Sequence, residues 1–327
     1  MERSVVSSEF NRILVPLDGS TISEQVLTPV ISLARSTASS VVLVRIVPTG
    51  GSIRRMAAHP LRRSSTQDKI RIAELEEISD YLSVQAEELR SQGIEVAIDV
   101  AHGAPEEEIV VLGSRHRASL IAMCTHGRIG LRRLALGSVA EQVLRRSALP
   151  LLLYRPTEDA PQRGDAGQVG FAWSKLAVPL DGSLLSEMAL ELAGRLALAS
   201  DLQVELVHVL ADTSRGPHSA TGTDDAAGVA EDRQTMETYL SDRAGALSQQ
   251  GIQASYRILN GDPSVRMVEA AQEDSDTLLV MSTHGRTGVG RMMHGSVADH
   301  LVRNSSTPVL LVRGRPSTIG GGRYRLL

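Results

Sequence analysis

Two stretches of this chain combine residue types and spacings suited to holding an anion. The first is Met-Cys-Thr-His-Gly-Arg-Ile-Gly-Leu-Arg-Arg-Leu-Ala-Leu-Gly-Ser-Val-Ala, residues Met123 to Ala140. The second, Met281 to Ala298, reads Met-Ser-Thr-His-Gly-Arg-Thr-Gly-Val-Gly-Arg-Met-Met-His-Gly-Ser-Val-Ala. Each follows an apolar run (Leu120 to Met123; Leu278 to Met281) of the kind that forms a buried strand. Each ends in Gly-Ser at the start of an amphipathic segment, where Ser138-x-x-Glu141 and Ser296-x-x-Asp299 have capping-box spacing. Strand, glycine-bearing loop and helix N-terminus, in that order, aim free backbone N–H groups and a positive dipole end at a bound anion. Both stretches are therefore predicted to be phosphate cradles.

Other chemistries find little support. The only lysines are Lys69 and Lys175, and neither lies in a Gly-x-x-x-x-Gly-Lys-[Ser/Thr] loop, so backbone amides, hydroxyls or arginine must do the binding. His126 and His284 have no carboxylate or nucleophile at useful spacing and read as structural or ribose-packing residues. His294 and His300 are too irregularly placed for zinc. Arg128 and Arg286 are either solvated loop charges or phosphate ligands. Cys124, the single cysteine, excludes an internal disulfide and reads as a small residue closing a strand. No Ser/His/Asp set, carboxylate pair or Cys/His cluster is recognisable, so no catalytic residue is assigned.

The elements that must position the cradles come in two copies. Arg12-Ile-Leu-Val-Pro-Leu-Asp-Gly-Ser20 returns as Lys175-Leu-Ala-Val-Pro-Leu-Asp-Gly-Ser183, an offset of 163 that matches Pro16 to Pro179 and Asp18 to Asp181. Gly103-Ala-Pro105 matches Gly261-Asp-Pro263, and Pro150 matches Pro308, at an offset of 158. The second copy has thus lost five residues between its second strand and its Gly-x-Pro turn. Within copy one, strands are expected at 13–17, 41–47, 94–101, 120–124 and 149–154. Helices are expected from Ser20 or Thr21 to about Ser36, over 68–91, after Pro105, and after Ser138. Residues 49–66 and 212–230 read as loops. Copy two repeats the strands at 176–180, 203–210, 252–259, 277–282 and 308–312. The resulting domains are 1–156 and 173–315, with a linker at 157–172 and a tail at 316–327.

Strict alternation of strands and helices predicts an α/β fold of two tandem five-stranded parallel doubly wound domains. A topological switch between the first and fourth strands would bring Asp18 beside the first cradle and Asp181 beside the second. An aspartate there can simply end a strand; its recurrence beside a second cradle favours a ligand-facing role. At 327 residues the chain suits two domains, and its 42% apolar content supports full cores. A net charge of −4 with 2% aromatics argues against nucleic acid. No apolar run reaches the roughly 18–20 residues of a membrane span, and the start is too short and polar for a signal peptide. A cytoplasmic protein without membrane partners is expected.

These residues resemble the universal stress protein family, whose ATP-binding signature is Gly-x2-Gly-x9-Gly-[Ser/Thr]. Here it reads Cys124-x2-Gly127-x9-Gly137-Ser138 and Ser282-x2-Gly285-x9-Gly295-Ser296, with the Val-Pro-x-Asp-Gly-Ser opening and Gly-x-Pro turn also in keeping. Cys124 and Ser282 replace the first glycine; both are small, but a backbone needing positive φ there would be strained. The resemblance implies Rossmann-like domains of the adenine nucleotide alpha hydrolase type and an ATP-binding stress-response regulator. It places Asp18 and Asp181 on the adenine or ribose edge, with Pro16 and Pro179 alongside and Ile46 and Val209 against adenine. It wraps ribose and phosphates with Gly127, Arg128, Gly130, Gly137, Ser138 and Val139, and with Gly285, Arg286, Gly288, Gly295, Ser296 and Val297. Mg²⁺ is expected to ride on the phosphates. The last strands of the copies are expected to pair in an internal pseudo-dimer, and a homodimer of whole chains is compatible with this. A slow ATPase and a dimeric scaffold that binds no nucleotide are the alternative readings.

Overall fold

A computed structural model of the chain describes residues 9–48, 65–125, 136–156, 171, 173–211, 224–274, 276–283 and 296–313. In the first repeat β1 (Arg12–Pro16) leads through α1 (Thr21–Glu24) and α2 (Leu27–Thr37) to β2 (Ser40–Pro48). Then come α3 (Ser65–Ser91), β3 (Val96–Gly103), α4 (Pro105–Arg115), β4 (Leu120–Cys124), α5 (Ser138–Arg146) and β5 (Leu151–Tyr154). The second repeat runs β6 (Lys175–Pro179), α6 (Leu184–Ser200), β7 (Gln203–Leu210), α7 (Asp224–Gln249) and β8 (Ala254–Asn260). It ends with α8 (Pro263–Glu273), β9 (Thr277–Ser282), α9 (Ser296–Asn304) and β10 (Val309–Val312).

Two expectations need correction. The single helix expected from Thr21 to about Ser36 is two helices, because Pro29 lacks the N–H that would have bonded Gln25 O. The chain turns there through short-range bonds, Gln25 N to Ile22 O at 3.2 Å and Thr28 N to Gln25 O at 3.2 Å. Position 192 of the second repeat, the counterpart of Pro29, is leucine, and α6 runs unbroken. The stretch 212–230 is also not all loop, since α7 begins at Asp224.

Strand order is β3-β2-β1-β4-β5-β10-β9-β6-β7-β8, so each repeat is wound 3-2-1-4-5 and the described strands make one ten-stranded sheet. All pairings within a repeat are parallel; the join, β5 to β10, is antiparallel. There Leu152 faces Leu310, flanked by Leu151–Leu311 and Leu153–Val309. Under the 158-residue offset this register maps onto itself, the mark of a two-fold contact. The symmetry extends to side chains, since Arg155 donates to Arg303 O and its counterpart Arg313 donates to Arg145 O.

Both sheet faces are covered. On one lie α2, α3, α6 and α7, packing Leu27, Leu82, Leu196 and Leu240 against Ile13, Leu43, Leu152 and Leu310. On the other, α4, α5, α8 and α9 pack Leu112, Val143, Met267 and Leu301 against Leu14, Val42, Leu151 and Val309. This double cover is why central strands such as Leu120–Cys124 are buried throughout and read as continuous apolar runs. At the amino ends of the strands the two repeats use opposite charges. Asp99 pairs with His116 at 2.8 Å and Arg115 at 3.6 Å. At the equivalent positions Arg257 pairs with Glu273 at 2.6 Å, and Lys175 holds Asp274 at 2.5 Å.

Candidate functional site

The carboxyl end of β1 begins the site. Past Pro16 the chain stays with β2 through Leu17 N to Val44 O at 2.9 Å, whereas pairing with β4 covers only Ile13–Leu120 and Leu14–Ile121. β1 and β4 therefore separate at their carboxyl ends, forming the crevice expected at a topological switch. Asp18 stands at its rim, half-buried. Its Oδ1 accepts from Ser20 N at 2.9 Å and Ser20 Oγ at 2.5 Å. Gly19 adopts a φ of 73°, the left-handed conformation this Asp-Gly turn demands. Ser20 then caps α1 by accepting from Ser23 N at 3.1 Å, and Asp18 N donates to Ser23 Oγ at 3.3 Å. Asp18 thus ends the strand, as the plainer reading holds, at the rim of the crevice.

Across the crevice, β4 ends in Cys124, whose thiol donates to Ile22 O at 3.0 Å. Burial pushes its pKa well above the ordinary thiol range, and the negative charge of Asp18 adds to the effect. The sulfur therefore stays a protonated packing group rather than a nucleophile. Neither Cys124 nor Ser282 has positive φ; both end strands, so the missing glycine causes no strain at either position. Thr125 O accepts from Gly137 N at 2.6 Å, which ties the start of α5 directly to the tip of β4. Gly137, rather than Ser138, is the N-cap, and no described side chain caps the helix. The capping box read at Ser138-x-x-Glu141 is therefore displaced: Ser138 is already helical and exposed. Among the described residues, then, this helix N-terminus has no side-chain acceptor, an arrangement that leaves its first N–H groups open to an anion.

Ile46, at the carboxyl end of β2, belongs to the same apolar cluster as Ala140, and Val139 packs against that cluster. The expected adenine contact and the first turn of α5 thus belong to one apolar cluster. Pro16 is half-buried at the end of β1.

The second repeat follows suit. Asp181 Oδ1 accepts from Ser183 N at 3.0 Å, and Ser183 caps α6 by accepting from Ser186 N at 3.2 Å. Leu180 N bonds Val207 O at 2.9 Å, so this strand tip also leaves with its second strand. Ser282 is buried at the end of β9. Ser296 opens α9 exposed, Val297 and Val209 pack against the second apolar cluster, and Pro179 closes β6. Gly127, Arg128, Gly130, Gly285, Arg286, Gly288 and Gly295 lie outside the described residues, as do His126, His284 and His294. Among the described residues no group of His, Cys, Asp or Glu could hold a metal. No described helix is long and apolar enough to cross a membrane.

Sequence reasoning missed a polar set behind each aspartate. Tyr81 on α3 donates to Glu24 at 2.9 Å, and its counterpart Tyr239 on α7 donates to Glu187 at 2.5 Å. Arg45 donates to Leu17 O at 3.3 Å, and at the matching position His208 Nδ1 meets Leu180 O at 2.6 Å. The signal was present in the repeats: Tyr-Leu recurs at 81–82 and 239–240, on a helix otherwise read only for its apolar spacing.

The profile described as "Universal stress protein family" matches residues 9–155 and again 172–313. A universal stress protein of Methanocaldococcus jannaschii is 27% identical over 146 residues, covering 45% of this chain and 82% of that protein. One from Mycobacterium tuberculosis is 26% identical over 238 residues, covering 71% of this chain and 70% of that protein. Among solved structures, a universal stress protein from Archaeoglobus fulgidus has the same fold, with a TM-score of 0.63 at 20% identity over 93% of this chain and 98% of that one.

Proposed function

Because the chain belongs to the universal stress protein family along both repeats, we propose that it is an adenine-nucleotide-binding stress-response regulator with one ATP site per repeat. What supports this reading is the start of α5, which no described side chain caps and which Gly137 N fastens to the tip of β4, the strand that parts from β1 and its Asp18 turn at the carboxyl end. The N–H groups of that helix turn receive the phosphates. Ile46 offers an apolar wall to the base, and Asp18 the polar edge for base or ribose. Gly127, Arg128, Gly130, Ser138 and Val139 complete the first site. Pro179, Asp181, Val209, Gly285, Arg286, Gly288, Gly295, Ser296 and Val297 make the second. Mg²⁺ enters on the phosphates, and no residue is assigned to catalysis. The symmetric β5–β10 register supports reading the two repeats as an internal pseudo-dimer. Mass spectrometry of nucleotide released by denaturing the purified protein tests the proposal, with uptake of added ATP·Mg²⁺ measured in parallel. Adenine nucleotide carried over or taken up supports it; neither carry-over nor uptake rejects it and favours a scaffold.

A further inference from the structure

The turn that presents the aspartate is itself held from behind. In repeat one, Asp18 is knitted to the first turn of α1 by its bonds to Ser20 and Ser23, and α1 ends at Glu24. Glu24 receives the Tyr81 phenol at 2.9 Å from α3. Repeat two reproduces the sequence of contacts, with Asp181, Ser183 and Ser186 leading to Glu187 and the Tyr239 phenol at 2.5 Å. A cation accompanies each pair, from different elements. In repeat one Arg45 of β2 is close enough to Tyr81 to act on its charge, and it also grips Leu17 O. In repeat two Arg243 of α7 reaches Glu187 at 2.9 Å and stacks 5.3 Å from the Tyr239 ring centre, while His208 takes over the strand carbonyl. Arg243 stands at the counterpart of Gln85, and His208 at that of Arg45. The cation has moved from strand to helix, yet the phenol–carboxylate bond is present in both repeats.

We propose that Tyr81 and Tyr239 are positioning residues of the two nucleotide sites, each pinning the first helical turn after the strand-tip aspartate to the long helix behind it. This rests on the nucleotide-binding reading above and adds residues that touch no ligand. The bond is charge-assisted and half-buried, which makes it stronger than an exposed one. Burial, and then the neighbouring glutamate, raise both phenol pKa values, so each OH keeps its proton and remains a donor at neutral pH. Losing such a bond loosens the turn on which the aspartate sits while leaving the ring packed in place.

The test uses the full chain and Tyr81→Phe, which keeps the ring and removes only the hydroxyl. Hydrogen exchange, read without ligand, should quicken on the order of tenfold in residues 17–24 and stay unchanged in 180–187, a local loss of about 1.4 kcal/mol. ATP·Mg²⁺ titration should show one of two sites weakened by a similar factor. Tyr239→Phe should give the mirror result. Glu24→Gln, which keeps an oxygen for the phenol but loses the charge, should fall between wild type and Tyr81→Phe in both readouts, and Glu24→Ala should behave like Tyr81→Phe. That pair carries the comparison if Tyr81→Phe does not fold. Exchange that is unchanged, or that rises equally in both repeats, overturns the proposal, as does unaltered affinity at both sites. Local loosening in a protein whose wild type takes up no ATP·Mg²⁺ supports the clamp and overturns the nucleotide reading instead.

Discussion

Replacing Gly137 by aspartate should stabilise the protein and weaken nucleotide binding at the first site. Gly137 has φ −59° and ψ 144°, a conformation open to any residue, so the new side chain enters without backbone strain. Its carboxylate would accept from the N–H groups of Val139 or Ala140, which no described side chain now caps. Aspartate over glycine at an N-cap is worth a few tenths of a kcal/mol, and its charge at the positive dipole end adds about 0.3–1 kcal/mol. The sum is a gain of roughly 0.5–1 kcal/mol. The same carboxylate occupies the donors meant for the phosphates and repels them. At about 5 Å and an effective dielectric constant near 20, one such repulsion is about 3 kcal/mol before salt screening. A loss of at least about tenfold in affinity is therefore expected at one site, with the second site as internal control. Urea unfolding without ligand and calorimetric titration with ATP·Mg²⁺ read the two effects separately. Higher stability with both affinities intact would show that the anion does not sit at this helix. Lower stability would contradict an uncapped N-terminus.

Three further outcomes follow from the packing. Leu310→Ala, at the two-fold contact with Leu152 where both are fully buried, should cost about 2–5 kcal/mol by urea unfolding; a loss below about 1 kcal/mol would mean the join is loosely packed. Leu192→Pro should break α6 as Pro29 breaks the first repeat and destabilise by about 3 kcal/mol or more, with helix content by circular dichroism falling in step; unchanged helicity would refute the account of the break. Lys175 lowers the pKa of Asp274 chiefly through their hydrogen bond. That pair stabilises above the ordinary carboxylate pKa and stops doing so as pH falls through the lowered value. Asp274→Asn should therefore flatten stability against pH in that acid range, by less than about 1 kcal/mol since the carboxylate is half-exposed; an unaltered acid profile would show the pair contributes nothing.

Much of this was legible because the sequence is read twice. The Pro-Leu-Asp-Gly-Ser openings and the Gly-Ser helix starts recur at fixed offsets, and alternation of apolar strands with amphipathic helices left a parallel sheet as the natural solution. That solution set the β1 end that carries Asp18 beside β4, whose tip is tied to the start of α5. Tyr81 and Tyr239 now confine the five-residue difference to the segment between β2 and the long helix, because they already keep the 158-residue offset. What the sequence concealed was mostly the work of single atoms. Pro29 broke a helix by lacking one N–H. Thr125 O fixed the cap at Gly137 rather than Ser138 through a contact between residues 12 apart. The Tyr81–Glu24 bond spans 57 positions and links two helices whose apolar spacing says nothing about their polar faces.

The central claim is that each repeat holds a nucleotide between its strand-tip aspartate and the start of the helix that follows its fourth strand. Calorimetry of nucleotide-stripped protein with ATP·Mg²⁺ addresses it directly. The account predicts saturable binding at two sites per chain, one of them weakened at least about tenfold by Gly137→Asp; no heat of binding at millimolar nucleotide would contradict it.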